Sequence, residues 1–252
     1  MKKSLFIFVC MVFIFSSSFA QGNALKMVEI PDKNIKILTT EVTKNLYAFV
    51  MGELPSSKNA EYDDICPVNY VSFYDAIYFC NKLSEMSGLK SVYAFNGKTD
   101  VNTWNYTPHQ AHYLMGKVST RRNADGYRLP TVEEWQYVAN SGETYLYSGS
   151  NDIEDVAWYS KNAQKKTHPV GLKNPNQYGL YDMTGNVSEW CWSLPLYKEV
   201  STDDLDEFIP TLGGSFKSNE TACMVNKIKR TLVNFSSAEI GFRIVSKLPD
   251  SF

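Results

Sequence analysis

The chain is poor in the residues that build most metal and redox centres. It has three histidines, His109, His112 and His168, and no CxxC or other zinc spacing. The EF-hand spacing is absent too. Neither sign of charge is in excess. A net charge of −2 argues against nucleic acid or an anionic membrane as an obligatory partner. Beyond the N-terminus no hydrophobic run is long enough to span a bilayer. The one apolar run, Leu5 to Phe15, is eleven residues, also too short. It follows the basic Met1-Lys2-Lys3 and precedes Ser18-Phe19-Ala20, a small-x-small cleavage site. We therefore expect residues 1–20 to be a signal peptide and the mature chain to be exported: periplasmic, cell-surface or secreted. Cys10 is discarded with the signal.

What is present is globular. A composition 44% hydrophobic and 14% aromatic is ample for a core and argues against disorder. About 230 mature residues suit one large domain or two small ones. Export permits disulfides, but Cys66, Cys80, Cys191 and Cys223 allow three pairings and the sequence does not choose. Residues 21–40 read as an extended lead-in, with Val28, Ile30, Ile35 and Ile37 at strand intervals. Thr43 caps a short helix with Leu46, Phe49 and Val50 on one face, ended by Gly52. Ser72 and Asp75 open a stronger helix with Ala76, Ile77, Phe79, Cys80 and Leu83 as its apolar stripe, stopped by Gly88. Cys80 is then a buried free thiol. Thr131 and Glu134 make a second capping box, with Trp135, Val138 and Ala139 facing the core. Residues 96–125 read as a long surface loop, and its His109/His112 pair as a surface turn rather than a metal site. Around a further loop, 155–159 and 167–171 read as short extended pieces.

The densest stretch runs from Asn174 to Trp192. Gly179 and Gly185 mark tight turns. Asp182, Asn186 and Glu189 bring oxygen-bearing side chains within eight residues, the kind of donors a hard cation such as Ca²⁺ takes. A polar turn without metal explains the same composition. Trp190 and Trp192 share a face if this is a strand. Toward the end, Leu212 to Phe216 and Ile240 to Val245 read as buried strands. They bracket Lys217 to Glu239, a solvent-facing excursion with no hydrophobic period. Recognition surfaces are commonly loops on a rigid scaffold.

Seven blocks in order resemble the formylglycine-generating enzyme (sulfatase-modifying factor) family, over roughly residues 40–246. They are Glu41-Val42-Thr43 to Gly52, Pro67 to Ser84, Gly126 to Trp135, Thr167 to Gly171, Gly179 to Trp192, Gly213-Gly214-Ser215-Phe216 and Gly241-Phe242-Arg243. The resemblance implies an α+β fold, the C-type lectin-like variant of that family, with short helices, small antiparallel sheets and high loop content. It places one domain at 41–248. It also implies a structural calcium on Asp182, Gly185, Val187 and Glu189, with side chains from the first and last and carbonyls from the other two.

For activity the resemblance implies a copper(I) oxidase that converts a sulfatase cysteine to formylglycine with two thiolates. In this register the catalytic cysteine is Cys223, but its partner position holds Ser218, and a hydroxyl is a poor copper(I) ligand. Copper belongs only to the oxidase reading. The favoured reading is therefore a non-catalytic, monomeric binding domain. It meets a protein or glycan ligand through Lys217, Ser218, Asn219, Lys227, Lys229, Arg230, Asn234 and Phe235. The alternatives are the oxidase itself and a retroelement-diversified variable binding protein. In such variable proteins a GGS-aromatic strand and a GFR strand bracket the varied positions. The family's iron-dependent C–S bond-forming relatives need a histidine cluster that is not found here.

Overall fold

A computed structural model describes residues 25–55, 64–110, 114, 116–193, 199–201 and 208–248. The expected signal peptide and His112 lie outside the described residues. The architecture is α+β, with short helices and three small sheets. In chain order the elements are β1 (Met27–Ile30), β2 (Ile35–Leu38), α1 (Lys44–Met51), α2 (Phe73–Met86), β3 (Tyr93–Phe95), β4 (Lys117–Thr120), α3 (Val132–Asn140) and α4 (Ile153–Val156). There follow β5 (Ser188–Trp190), β6 (Glu199–Ser201), β7 (Phe208–Leu212), β8 (Ile228–Leu232), β9 (Ile240–Gly241) and β10 (Val245–Lys247). No helix among the described residues is long and apolar enough to cross a membrane.

The helices begin where side-chain chemistry starts them. Thr43 accepts the Leu46 N–H at the head of α1, and Gly52 closes it in the left-handed region at φ 88°. Both capping boxes form: Ser72 with Asp75 on α2, and Thr131 with Glu134 on α3. The buried face of α1 differs from the expected one. Leu46, Tyr47 and Val50 point inward and Phe49 is 41% exposed. Tyr47 wins the inward position by stacking on Phe79 of α2, with centroids 5.3 Å apart. The α2 stripe packs on the two tryptophans of the dense stretch. Phe73 meets Trp192 at 5.8 Å and Trp190 at 6.1 Å, and all three are buried. Truncating such a ring typically costs about 3–5 kcal/mol.

The first sheet has the order β1-β2-β10, so the N-terminal lead-in pairs with the last strand. Strands β3, β4 and β6 form the second, in antiparallel pairs. The third, β8-β7-β5-β9, carries the site. It is antiparallel except for the two-residue β5–β9 pair, which is parallel. Three expectations need correction. Residues 96–125 are not one loop, because β4 and a buried Trp104 lie within them. Residues 155–159 are not extended throughout, because α4 ends at Val156. Residues 217–239 are not a bare excursion, because β8 joins the sheet there. Its alternation, Thr231 inward between exposed Arg230 and half-buried Leu232, is too short to read as a period. The four described cysteines are buried, and Cys80, Cys191 and Cys223 are free thiols.

Candidate functional site

Glycines shape the turn after β7. Gly213 and Gly214 both have positive φ, at 88° and 72°. A Cβ on Gly214 would stand 2.6 Å from the Cys223 Sγ. Cys223 closes a short 3₁₀ turn, Thr221–Cys223, and is fully buried against this glycine. Burial pushes its thiol up to about 12, so it is not a thiolate at neutral pH. Ser218 is engaged elsewhere. Its Oγ accepts the Ser215 N–H at 2.9 Å and lies 3.3 Å from the Ser215 Oγ. Ser215 in turn donates to Glu239 at 2.9 Å.

Outside this turn lies a cleft of about 480 Å³. Ser188, Thr211, Ser218, Asn219, Lys227 and Lys229 contribute to its walls, and among the described residues no carboxylate does. Cys223 is not among the lining residues. Of the eight expected ligand-binding residues the structure thus brings together Ser218, Asn219, Lys227 and Lys229. Lys217 sits 3.7 Å from Glu239 and over the Phe216 ring. Arg230 is on β8, donating to the Phe208 carbonyl at 3.4 Å. Asn234 and Phe235 lie in the turn after β8, where Phe235 is exposed.

The expected calcium residues gather behind the cleft in a buried charge cluster. Glu189, on β5, receives a fork from Arg243. Arg243 Nη2 and Nε reach its Oε1 at 2.7 and 2.9 Å, and Nε also reaches Oε2 at 2.8 Å. Trp135 Nε1 takes the same Oε2 at 2.7 Å. The guanidinium further donates to the Leu38 and Tyr181 carbonyls, at 3.1 and 2.9 Å. Both Glu189 oxygens therefore accept N–H donors. Asp182, at φ 55°, is buried and its Oδ2 accepts the Gly171 N–H at 2.7 Å. Gly185, at φ 80°, passes so close to the Trp158 carbonyl that a Cβ would overlap it. Val187 gives its N–H to Glu41 Oε1 at 2.9 Å, and Asn186 Nδ2 donates to Glu41 Oε2 at 2.8 Å.

Glu41 is the residue that sequence reasoning missed. Burial, then the Asp182 and Glu189 charges, hold its carboxyl well above the usual range. Asp182 is pushed up to about 6 by burial, against the Gly171 N–H and Arg243, which lower it. Arg243 thus pairs with Glu189, and its charge also favours the ionised forms of Asp182 and Glu41. Among the described residues no three His, Cys, Asp or Glu side chains form a metal-ligand group. That leaves open a site built largely from carbonyls, as the expected one is. His168 stacks on Trp158 at 3.9 Å, and His109 lies 3.6 Å from Asp75 in a buried network with Tyr106. A second cleft, about 660 Å³, is lined by Glu85, Lys90, Asp100, Arg121 and others.

Comparison with known proteins places this geometry. The model of the sulfatase-modifying factor enzyme 1-like domain matches residues 11–248. A chaperone protein, LppX, of Paenibacillus barcinonensis is 38% identical over 208 residues, covering 71% of this chain and 72% of that one. The formylglycine-generating enzyme of Thermomonospora curvata is 29% identical over 150 residues, 47% of this chain and 48% of that protein. The inactive Cα-formylglycine-generating enzyme 2 of Bos taurus is 31% identical over 138 residues, 48% and 44% of the two chains. The match thus spans about half the length of these last two relatives. Among solved structures, the variable protein 1 of Treponema denticola superposes with a TM-score of 0.71 at 32% identity, over 84% of each chain. The chain belongs to the sulfatase-modifying factor enzyme 1-like domain family.

Proposed function

We propose that this chain is an exported, non-catalytic member of the family that binds a partner polypeptide through the cleft and strand built from residues 217–239. The observation that carries the reading is the state of the thiol. A copper(I) oxidase needs two accessible thiolates. Here the cleft wall offers a serine hydroxyl, and the one cysteine is buried behind Gly214 with its proton held to about 12. The naming of LppX as a chaperone and of another relative as inactive supports the reading and favours a protein as partner. The domain is taken to act as a monomer.

The test is copper titration of residues 21–252, followed by incubation with a sulfatase-derived cysteine peptide under oxygen. We expect no one-to-one copper(I) binding and no formylglycine by mass spectrometry. Tight copper binding with loss of the Cys223 thiol would restore the oxidase.

A second reading has its own support, in the likeness to a variable protein over 84% of both chains. It takes residues 217–239 as positions of programmed diversity. Sequencing the coding region across a clonal culture tests it. Substitutions concentrated at exposed positions such as Lys217, Asn219 and Lys229 would establish it, and a uniform sequence would remove it.

For the dense loop we propose that the buried guanidinium, rather than a calcium ion at Glu189, supplies the positive charge. Without Glu189, Asp182 and two carbonyls offer three oxygens where Ca²⁺ takes six to eight. Chelation is expected to shift the melting temperature by less than about 1 °C. A calcium ion at a hundredfold excess over its Kd would add about 2.7 kcal/mol. At this size that is a shift of roughly 5–10 °C, and such a drop on chelation would return the ion to the loop.

A further inference from the structure

We propose that the cleft beside β8 is a carboxylate site, which the partner polypeptide enters with an acidic side chain or with its C-terminus. The inference rests on the binding reading above and names the group that fills its cleft. At about 480 Å³ the cleft lies in the size range of ligand pockets. The sheet supplies Ser188 on β5, Thr211 on β7 and Lys229 on β8, from three neighbouring strands. Lys229 stands directly across from Thr211, and cross-strand partners share a face. The turn after β7 supplies Asn219 and Thr221, and Lys227 lies where the chain returns to β8.

These residues offer positive charge and hydrogen-bond donors. Lys227 and Lys229 are two residues apart, and among the described residues neither enters an ion pair. The nearby carboxylates are engaged elsewhere. Glu220 pairs with Lys161 at 2.5 Å. Glu239 takes the Ser215 hydroxyl at 2.9 Å and has Lys217 at 3.7 Å. Asn219 has spent its acceptor, because its Oδ1 takes the Ala222 N–H at 2.9 Å, and its amide hydrogens are what it has left to give. Two unpaired ammonium groups on one cleft repel each other. An incoming carboxylate relieves that repulsion and accepts charge-assisted hydrogen bonds from both. It is also the anion that every polypeptide carries at its end and most carry in side chains.

Lysines on an outer strand also discourage self-association. That accounts for exposed cations, but not for a cleft lined by further donors from which carboxylates are missing among the described residues. The second cleft gives the contrast. Its lining sets Glu85 and Asp100 beside Lys90 and Arg121, so it holds both signs of charge.

The probes are N-acetylated peptides of three Gly-Ser-Xaa repeats, titrated into the nitrogen-15-labelled mature chain at low salt, where exposed charges are least screened. Amide chemical shifts are read residue by residue. With Glu as Xaa and an amidated end, the peptide carries side-chain carboxylates alone. With Gln and a free end it carries the terminal one alone, and with Gln and an amidated end it is neutral. We expect saturable shifts at Asn219, Thr221, Lys227 and Lys229 with at least one acidic peptide, and whichever binds identifies the source of the carboxylate. The neutral peptide should bind at least tenfold more weakly. Lys227→Gln/Lys229→Gln, with its fold checked by melting temperature, should weaken the acidic peptide at least tenfold. Lys98→Gln/Lys117→Gln removes the same charge at the second sheet and should leave binding within about twofold. No saturable shift in the cleft with either acidic peptide would overturn the carboxylate site. So would equal binding of the neutral peptide, or equal losses from the two lysine pairs. A neutral peptide bound in the cleft would still leave the polypeptide reading standing, and the copper experiment judges the non-catalytic reading separately.

Discussion

Arg243→Met is expected to cost about 3–5 kcal/mol of unfolding free energy, the size typical of breaking a buried ion pair from one side. Arg243 is fully buried and makes five hydrogen bonds, three of them to Glu189. Its removal leaves Glu189, Asp182 and Glu41 facing one another without a cation. It also strands the Leu38 and Tyr181 carbonyls. These acceptors tie together β2, the dense loop, β5 and the segment before β10, so the loss is global rather than local. Urea denaturation checks the value. The double variant Glu189→Leu/Arg243→Met should be more stable than Arg243→Met alone, because it removes one of the uncompensated charges. Arg243→Lys should lose most of the same energy, since an ammonium cannot form the planar fork. A loss below about 1 kcal/mol in Arg243→Met would mean that the cluster does not hold the fold.

Much of this frame is legible along the chain. Thr43, Ser72 and Thr131 announce their helices because a cap acts within four residues of itself. Gly179 and Gly185 announce positive φ because no other residue takes it freely. What sequence reading misses is long-range. Glu41 looks like an ordinary acid before a helix, yet it satisfies Val187 from 146 residues away. Nothing near Glu189 in the chain shows that Arg243, 54 residues on, pairs with it. The family resemblance identifies Ser218 and Cys223 as the positions of the altered pair. It does not show that Cys223 is turned inward against Gly214, which is what removes its chemistry. Strand β8 is hidden for a different reason. Exposed Lys229 and Arg230 mask its alternation, and an outer strand has only one side paired.

In the presence of chelator, the domain should be more stable near pH 5 than at pH 7.5. The folded-state pKa of Asp182 is raised from 3.8 to about 6, chiefly by burial, so the native state binds more protons than the unfolded chain across that window. Stability from this group is fully present below about pH 4 and is lost as pH rises through 6. Roughly two pKa units correspond to about 3 kcal/mol. Glu41 is raised in the same direction and adds to the slope. Glu134 works the other way. The Arg128 pair lowers it against the desolvation of its own burial, so its contribution is lost only as pH falls below the ordinary carboxylate range. An optimum near about pH 4–5 follows, set on the acid side by Glu134 and on the neutral side by Asp182 and Glu41. Asp182→Asn keeps an oxygen for the Gly171 N–H but removes the buried charge. It should flatten the slope and leave the protein at least as stable as wild type at pH 7.5. If stability instead rose steadily from pH 5 to 7.5, Asp182 would have to be a compensated carboxylate. Were Asp182→Asn then strongly destabilising only in the presence of calcium, the compensating charge would be the metal ion and not Arg243.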